Sequence, residues 1–170
     1  MTRFVALLRA VNVGGTGKLS MSDLKSICLN AGFSRVETYI ASGNVIFESE
    51  AGSAEAKAKL EGQLLASANR PIDVVVRTAQ EMAAILNASP FRSADPKLSY
   101  VIFLNDPPPP DALRDVTGRS DEELHLGDRE IFVLYPSGMG RSKLRIPAAR
   151  SGTARNLNTV AKLAEIALRP

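Results

Sequence analysis

The chain has little of the chemistry that disulfides and metal ions need. Cys28 is its single cysteine and His125 its single histidine in 170 residues. One cysteine cannot form an internal disulfide, and one residue of each kind excludes a zinc site built from Cys and His. The sequence therefore indicates no structural metal, and no part of it indicates a cofactor.

Long hydrophobic runs are absent as well. The first apolar run, Phe4 to Leu8, is too short for the hydrophobic part of a signal peptide, and Arg9 follows it directly. No stretch approaches the roughly 20 apolar residues that cross a bilayer. We therefore expect a cytoplasmic protein that does not associate with a membrane.

Aromatic residues and excess charge are also scarce. Aromatics make up 5% of the chain, and tryptophan is absent. Since RNA-recognition modules read bases with exposed aromatics on their central strands, this scarcity disfavours such a module. The net charge is only +3. One segment departs from the balance, because residues 141–155 carry five basic residues and no acidic one.

The rest of the composition, 45% hydrophobic and 23% charged, is typical of a globular protein. Its patterns predict a strand, a helix, a hairpin and a helix from residue 4 and again from residue 98. This is the order of the ferredoxin-like split βαβ motif. We therefore predict an α+β fold of two ferredoxin-like βαββα(β) units in tandem, residues 1–78 and 79–170, with mixed, largely antiparallel sheets covered by helices. The second unit is expected to lack its last strand.

Local signals predict where several elements begin and turn. Ser20 and Thr78 each precede an acidic residue by three positions, which is a capping-box spacing at a helix start. The sequence Ser-Gly-Asn at 42–44 lies between two strand-like runs and predicts a hairpin. A second hairpin is predicted near residues 127–128, and a last helix at about 156–168.

Common phosphate-binding motifs fail at the glycine-rich turn. A Walker pattern with its Gly-Lys pair at 17–18 needs glycine at 12 and Ser or Thr at 19, where the chain has Asn12 and Leu19. A dinucleotide-binding pattern would need glycine at 20, which is Ser20. ATPase and Rossmann interpretations are therefore rejected.

Catalytic motifs are equally weak. His125 alternates with leucines in a hairpin, which predicts a solvent-facing side chain with no visible partner. Cys28 lies on the apolar stripe of a helix and is interpreted as a buried structural thiol. The acidic run at 121–123 is interpreted as a solvated lead into a strand. Whether the chain is an enzyme stays open.

Two segments combine features that suit an anion. Arg9, Asn12, Gly14, Gly15 and Lys18 precede a helix N-terminus, where unpaired N–H groups attract negative charge. The alternative is that Arg9 pairs with a carboxylate and the glycines only turn the chain.

The second segment is the basic loop PSGMGRSKL. Its glycines would bring the backbone close to a ligand, and Arg141, Ser142 and Lys143 would supply donors, with Arg155 just before the last helix. The alternative is a solvated loop, with Asn156 or Asn158 capping that helix.

Six segments spread over most of the chain are distinctive: LLRAVNVGGTGKLSMSDLK, TYIASGNVIFES, VVVRTAQEM, SPFRS, YPSGMGRSKL and GTARNLNTV. In these segments, from about residue 3 to 168, the chain resembles the bacterial family called domain of unknown function 1697. The resemblance implies a cytosolic protein with a duplicated ferredoxin-like fold and no established activity, cofactor or catalytic residue. Family members usually have tryptophan where this chain has Leu157. If that tryptophan stacks on a ligand, leucine would weaken the stacking. If it fills the core, the smaller leucine would leave some space.

The leading hypothesis is a protein that binds a phosphorylated or other anionic small molecule at the glycine-rich and basic loops. The alternatives are nucleic-acid binding through residues 141–155 and a protein-protein interaction or oligomerisation module. The candidate ligand-binding residues are Arg9, Asn12, Gly14, Gly15, Lys18, Ser42, Asn44, Arg141, Ser142, Lys143, Arg155, Asn156 and Asn158.

Overall fold

The computed structural model describes residues 1–12 and 18–170. Within this part, the chain is a mixed α+β protein with four α-helices and two four-stranded antiparallel sheets. The chain divides into unit 1, which comprises residues 1–83 and 163–170, and unit 2, which comprises residues 84–162. The division falls within two helices, α3 (Ala79–Ala88) and α4 (Leu157–Ala167). No helix in the described part combines the length and apolar character needed to span a membrane.

Unit 1 contains a sheet with the strand order β2-β3-β1-β4, in which every neighbouring pair is antiparallel. Its elements, in chain order, are β1 (Thr2–Leu8), α1 (Met21–Asn30), β2 (Ser34–Thr38), β3 (Asn44–Ser49), α2 (Ser53–Ala68) and β4 (Val74–Thr78). The continuous apolar run of β1 is buried on both faces of the sheet, as its pattern predicts. Its alternate residues Phe4, Ala6 and Leu8 share one core with the buried residues of α1 and α2.

The predicted helix caps are confirmed. The Ser20 hydroxyl accepts a hydrogen bond from the Asp23 N–H at 3.0 Å, one residue before α1 begins. At the start of α3, the Thr78 hydroxyl accepts from the Glu81 N–H at 3.1 Å, and the Glu81 carboxylate accepts from the Thr78 N–H at 3.4 Å. Side chains thus occupy backbone donors that a helix start leaves unpaired.

Unit 2 contains a sheet with the strand order β6-β7-β5-β8, again wholly antiparallel. Its strands are β5 (Ser99–Phe103), β6 (Glu123–Leu126), β7 (Glu130–Leu134) and β8 (Thr153–Asn156). The expectation that the second unit lacks its last strand is wrong, because β8 pairs with β5. The sequence Thr-Ala-Arg-Asn carries no alternating apolar pattern, so only the pairing reveals this strand.

Gly43 sets how closely the β2–β3 turn approaches the end of β1. Its φ is +84°, and a Cβ placed on it would lie 2.5 Å from Val11 Cγ2 and 2.9 Å from Leu8 Cβ. The Leu8 N–H donates to the Gly43 carbonyl at 2.8 Å. Glycine is required here both by the backbone conformation and by the space.

We expect Gly43→Ala to lower the free energy of unfolding by roughly 2–4 kcal/mol, because strain at positive φ and overpacking add. The matched control is Gly62→Ala. Gly62 lies on the exposed side of α2 with no atom near its Cβ position, so alanine there stabilises by about 0.5–1 kcal/mol. Urea denaturation of both variants checks this; equal effects would contradict the close packing.

Candidate functional site

The glycine-rich segment is described only in part. Gly14 and Gly15 lie outside the described residues. Arg9 follows β1, is half-buried, and donates its backbone N–H to the Asp73 carbonyl at 3.0 Å. Lys18 is exposed. The structure thus locates two of the predicted cations of this segment in unit 1.

Asn12 uses its side chain to hold the backbone. Its amide nitrogen donates to the carbonyls of Leu19 and Ala41, each at 2.8 Å, and its amide oxygen accepts from the Leu19 N–H at 2.7 Å. Both donor hydrogens are therefore occupied. Asn12 joins the chain before α1 to the β2–β3 turn, so any part it plays in binding is indirect.

Ser42 and Asn44 have a similar structural role inside that turn. Asn44 is fully buried. Its amide nitrogen donates to the Tyr39 carbonyl at 3.0 Å and to the Ser42 hydroxyl at 2.8 Å. The predicted hairpin is confirmed, and these polar side chains hold it.

Three residues after β1 and in the β2–β3 turn have strained backbone conformations. Ala10, Asn12 and Ile40 adopt positive φ values of 55°, 56° and 50°. Asparagine tolerates this conformation, but a side chain branched at Cβ rarely adopts it. Such positions persist only where the surroundings hold them, and the Asn12 hydrogen bonds supply part of that restraint.

The basic loop of unit 2 alternates between core and solvent. Leu144 and Ile146 pack against the core of this unit, whereas Arg141, Lys143 and Arg145 are exposed. Ser142 and Ile146 both have extended backbone conformations, and an extended chain places successive side chains on opposite sides. The segment is held by two backbone hydrogen bonds between Thr117 and Arg145, at 2.9 and 3.0 Å.

A cavity of about 170 Å³ lies beside this loop, hereafter the basic-loop cavity. It is lined by Gly118, Ser120, Asp121, Glu122, Ser137, Gly138, Arg141, Ser142 and Lys143. Three predicted residues, Arg141, Ser142 and Lys143, thus meet at one cavity. The same cavity also contains two carboxylates that the sequence analysis did not place there.

Glu122 is the centre of this arrangement. Its carboxylate accepts a hydrogen bond from the Ser142 hydroxyl and another from the Ser120 N–H at 2.5 Å. The interpretation of this acidic run as solvated is wrong for Glu122, which is only 4% exposed. No local pattern could have revealed this, because the partner Ser142 lies 20 residues away.

The Ser142 hydroxyl, followed by the Ser120 N–H, holds the pKa of the Glu122 carboxyl below its usual range. Glu122 is therefore charged at neutral pH, and the Ser142 hydroxyl donates inward. Burial raises the pKa of Tyr135, and the nearby charge of Glu122 adds to this shift. Asp121 accepts from the Ser137 hydroxyl at 2.5 Å.

Arg155 is a buried residue of β8. Its guanidinium donates to the Thr153 hydroxyl at 2.6 Å and to the Ala154 carbonyl at 2.9 Å. Burial lowers the pKa of Arg155 to about 10, so it stays protonated at neutral pH. These contacts lie within its own strand and support a structural role.

At the start of α4, an asparagine caps the helix, which is the alternative to ligand binding for this segment. The Asn156 side chain accepts from the Thr159 N–H at 3.0 Å and caps the helix. Asn158 is exposed. Leu157 is buried, which favours the interpretation of this position as part of the core over its use for ligand stacking.

Arg77 is a buried cation that the sequence analysis missed. It is 1% exposed in β4, and its guanidinium donates to the Val76 carbonyl at 3.2 Å. The sequence feature that could have revealed Arg77 is a charged residue within the apolar run VVVRT.

Cys28 is buried as predicted, and burial raises the pKa of its thiol to about 12, which leaves no thiolate nucleophile at neutral pH.

Comparisons with known proteins agree with the sequence resemblance. The family described as "Protein of unknown function (DUF1697)" matches residues 1–132, a range that ends before the basic loop. The structure of the conserved bacterial protein SP0830 from Streptococcus pneumoniae is similar over 98% of both chains, with a TM-score of 0.81 and 28% sequence identity. None of the curated proteins matches.

We expect Asn12→Ala to lower the free energy of unfolding by roughly 2–4 kcal/mol, because it removes the hydrogen bonds and leaves alanine at positive φ. Asn12→Gly removes the same bonds without the strain and should lose about 1 kcal/mol less. Chemical denaturation measures both. Equal stability of the alanine variant and the parent would contradict the structural role.

We expect Glu122→Gln to make the protein less stable at neutral pH. Because the folded-state pKa is lowered from its usual 4.5, the carboxylate contributes its full stability above pH 4.5. That contribution is lost as the pH falls through the lowered pKa. The difference between parent and variant should therefore shrink in acid. Denaturation at several pH values measures it, and Glu123→Gln, which removes the neighbouring exposed carboxylate, is the matched control and should cost less stability than Glu122→Gln at neutral pH.

Proposed function

The chain belongs to the DUF1697 family of proteins of unknown function, and on that premise we propose that it binds a phosphorylated or otherwise anionic small molecule at the basic-loop cavity. The observation that carries the proposal is the pair of exposed cations, Arg141 and Lys143, at the rim of one concave site. Guanidinium and ammonium groups are the side chains that best hold phosphate oxygens.

The backbone of the loop suits close approach of a ligand. Gly138 has a φ of +91°, and no atom lies within 4 Å of the Cβ position of Gly138 or of Gly140. Both glycines therefore leave open space beside the two cations. A cavity of about 170 Å³ accommodates a phosphate with a small organic group.

The two carboxylates narrow the choice of ligand. Asp121 and Glu122 line the same cavity, and each accepts a serine hydroxyl. These contacts satisfy part of their acceptor capacity but leave negative charge near the site. A bare multivalent anion would be repelled. A phosphate carrying hydroxyl groups, as in sugar phosphates or nucleotides, can place its oxygens on the cations and its donors on Asp121.

The glycine-rich segment of unit 1 stays part of the hypothesis. Arg9 and Lys18 are its described cations, and variants of each test it separately from the basic loop. We also infer that both units are ferredoxin-like, since their sheets share one strand order, in which the first strand is central and the fourth is at an edge. The division after residue 78 stays a prediction.

A second candidate function is binding of single-stranded nucleic acid. Arg141 ends a short 3-10 helix (Met139–Arg141), Lys143 and Arg145 follow at alternate positions of the chain after it, and all three side chains are exposed. Such a row could follow a phosphate backbone. The scarcity of aromatic residues, which would stack on bases, counts against it.

We expect a phosphorylated compound to raise the melting temperature, because a ligand at about 100 times its dissociation constant stabilises by roughly 2.7 kcal/mol. The panel contains nucleotides, sugar phosphates, sulfate and short oligonucleotides at two salt concentrations. Arg141→Ala and Lys143→Ala should each weaken binding by about tenfold. Arg145→Ala removes the same charge from the same segment outside the cavity, and should leave binding nearly unchanged.

Two outcomes would overturn the small-molecule proposal. If no compound shifts the melting temperature beyond what the salt itself does, the basic loop is a solvated surface. The second outcome is that only oligonucleotides bind, that all three variants weaken oligonucleotide binding equally, and that the affinity falls steeply with salt concentration. Nucleic-acid binding would then replace the small-molecule proposal.

A further inference from the structure

A second cavity of unit 2 is lined by carboxylates and apolar side chains, without the cations of the basic-loop cavity. It measures about 280 Å³ and lies between the second half of α3 and the β6–β7 hairpin. The lining consists of Ala84, Ile85, Ala88, His125, Leu126, Gly127, Asp128, Glu130 and Phe132. This set contains two carboxylates and no lysine or arginine. None of these residues belongs to the basic-loop cavity.

The cavity exists because small residues face the hairpin. Ala84 and Ala88 are four positions apart, so they lie on the same side of α3, and both are exposed. On the opposite side, a Cβ on Gly127 would lie 2.8 Å from Phe132 Cε2. The turn therefore lies directly against the Phe132 ring, while the two alanines leave the space open.

Polar groups converge at the hairpin side of this space. Glu130 is 5% exposed, and its carboxylate accepts from the Arg129 N–H at 3.3 Å. Asp128 is exposed at the turn. His125, the single histidine of the chain, is exposed as predicted but lines the cavity, with its ring centre 6.4 Å from that of Phe132. The site thus pairs acceptors with an apolar and aromatic wall.

We propose that this cavity binds a small organic cation, an amine carried on an apolar or aromatic body. The exposed carboxylate of Asp128 can accept hydrogen bonds from an ammonium group, and such charge-assisted bonds are among the strongest in proteins. Ile85, Leu126 and Phe132 supply apolar surface for the body of the ligand. A cavity near 300 Å³ with a few convergent polar groups is typical of small-molecule sites.

The lining favours an organic cation over a metal ion. Most of it is apolar, and in the described part of the chain no group of three or more His, Cys, Asp or Glu side chains is placed to hold a metal. The proposal is independent of the anion site, because it involves another cavity and the opposite charge.

The test compares phenethylamine with 2-phenylethanol, a neutral molecule of nearly the same shape, by calorimetric or NMR titration of the full chain. We expect saturable binding of the amine that is about tenfold tighter than that of the alcohol. Asp128→Asn should weaken amine binding severalfold without affecting the alcohol. Asp106→Asn, which removes an exposed carboxylate of the same unit outside this cavity, is the matched control and should change neither.

A blocking variant tests the location. Ala88→Leu fills the space from the helix side, keeps every charge, and places a good helix former at an exposed position, so the fold should persist. It should abolish binding of both compounds. Equal affinities for amine and alcohol, insensitivity to Asp128→Asn and Ala88→Leu, or binding of Zn²⁺ but not of the amine would each overturn the proposal.

Discussion

The hydrogen bonds to the buried Glu122 carboxylate join the two loops on which the candidate anion site depends. One loop supplies the Ser120 N–H and the other the Ser142 hydroxyl. A buried carboxylate is tolerated only when such donors satisfy it. Because Ser142 points inward, its neighbours Arg141 and Lys143 are left on the exposed side of the chain. The outward cations and the buried anion are therefore consequences of one arrangement.

Buried arginines occur at matching places in the two sheets. Arg77 lies in β4 opposite Val5 of β1, and Arg155 lies in β8 opposite Val101 of β5. Each donates to the carbonyl of the residue that precedes it. Burying a guanidinium is unfavourable unless its hydrogen bonds are made within the fold. The repeated placement supports a structural role for both arginines. It therefore argues against direct contact between Arg155 and a ligand.

Unit 2 combines two cavities that differ in their charged groups, since one is lined by cations and carboxylates and the other by carboxylates without lysine or arginine. Arg141 and Lys143 lie at the rim of one, and Asp128 and Glu130 line the other. Long-range electrostatics alone would favour neither kind of ligand, since the net charge of the chain is only +3. Selectivity must then come from side chains at short range, where hydrogen-bond geometry and desolvation act most strongly.

The sequence by itself determined the helix caps, the β2–β3 and β6–β7 hairpins, the buried strand β1 and the family, because these depend on residues close together along the chain. Only the tertiary structure decided that β8 is a strand, that Glu122 is buried, and that Asn12 and Arg155 hold the backbone. Their partners are pairings across the sheet, or side chains and carbonyls in the folded chain that no periodicity reveals. A polar residue has the same local signal whether it contacts a ligand or its own backbone, so its role is settled only when its partners are known.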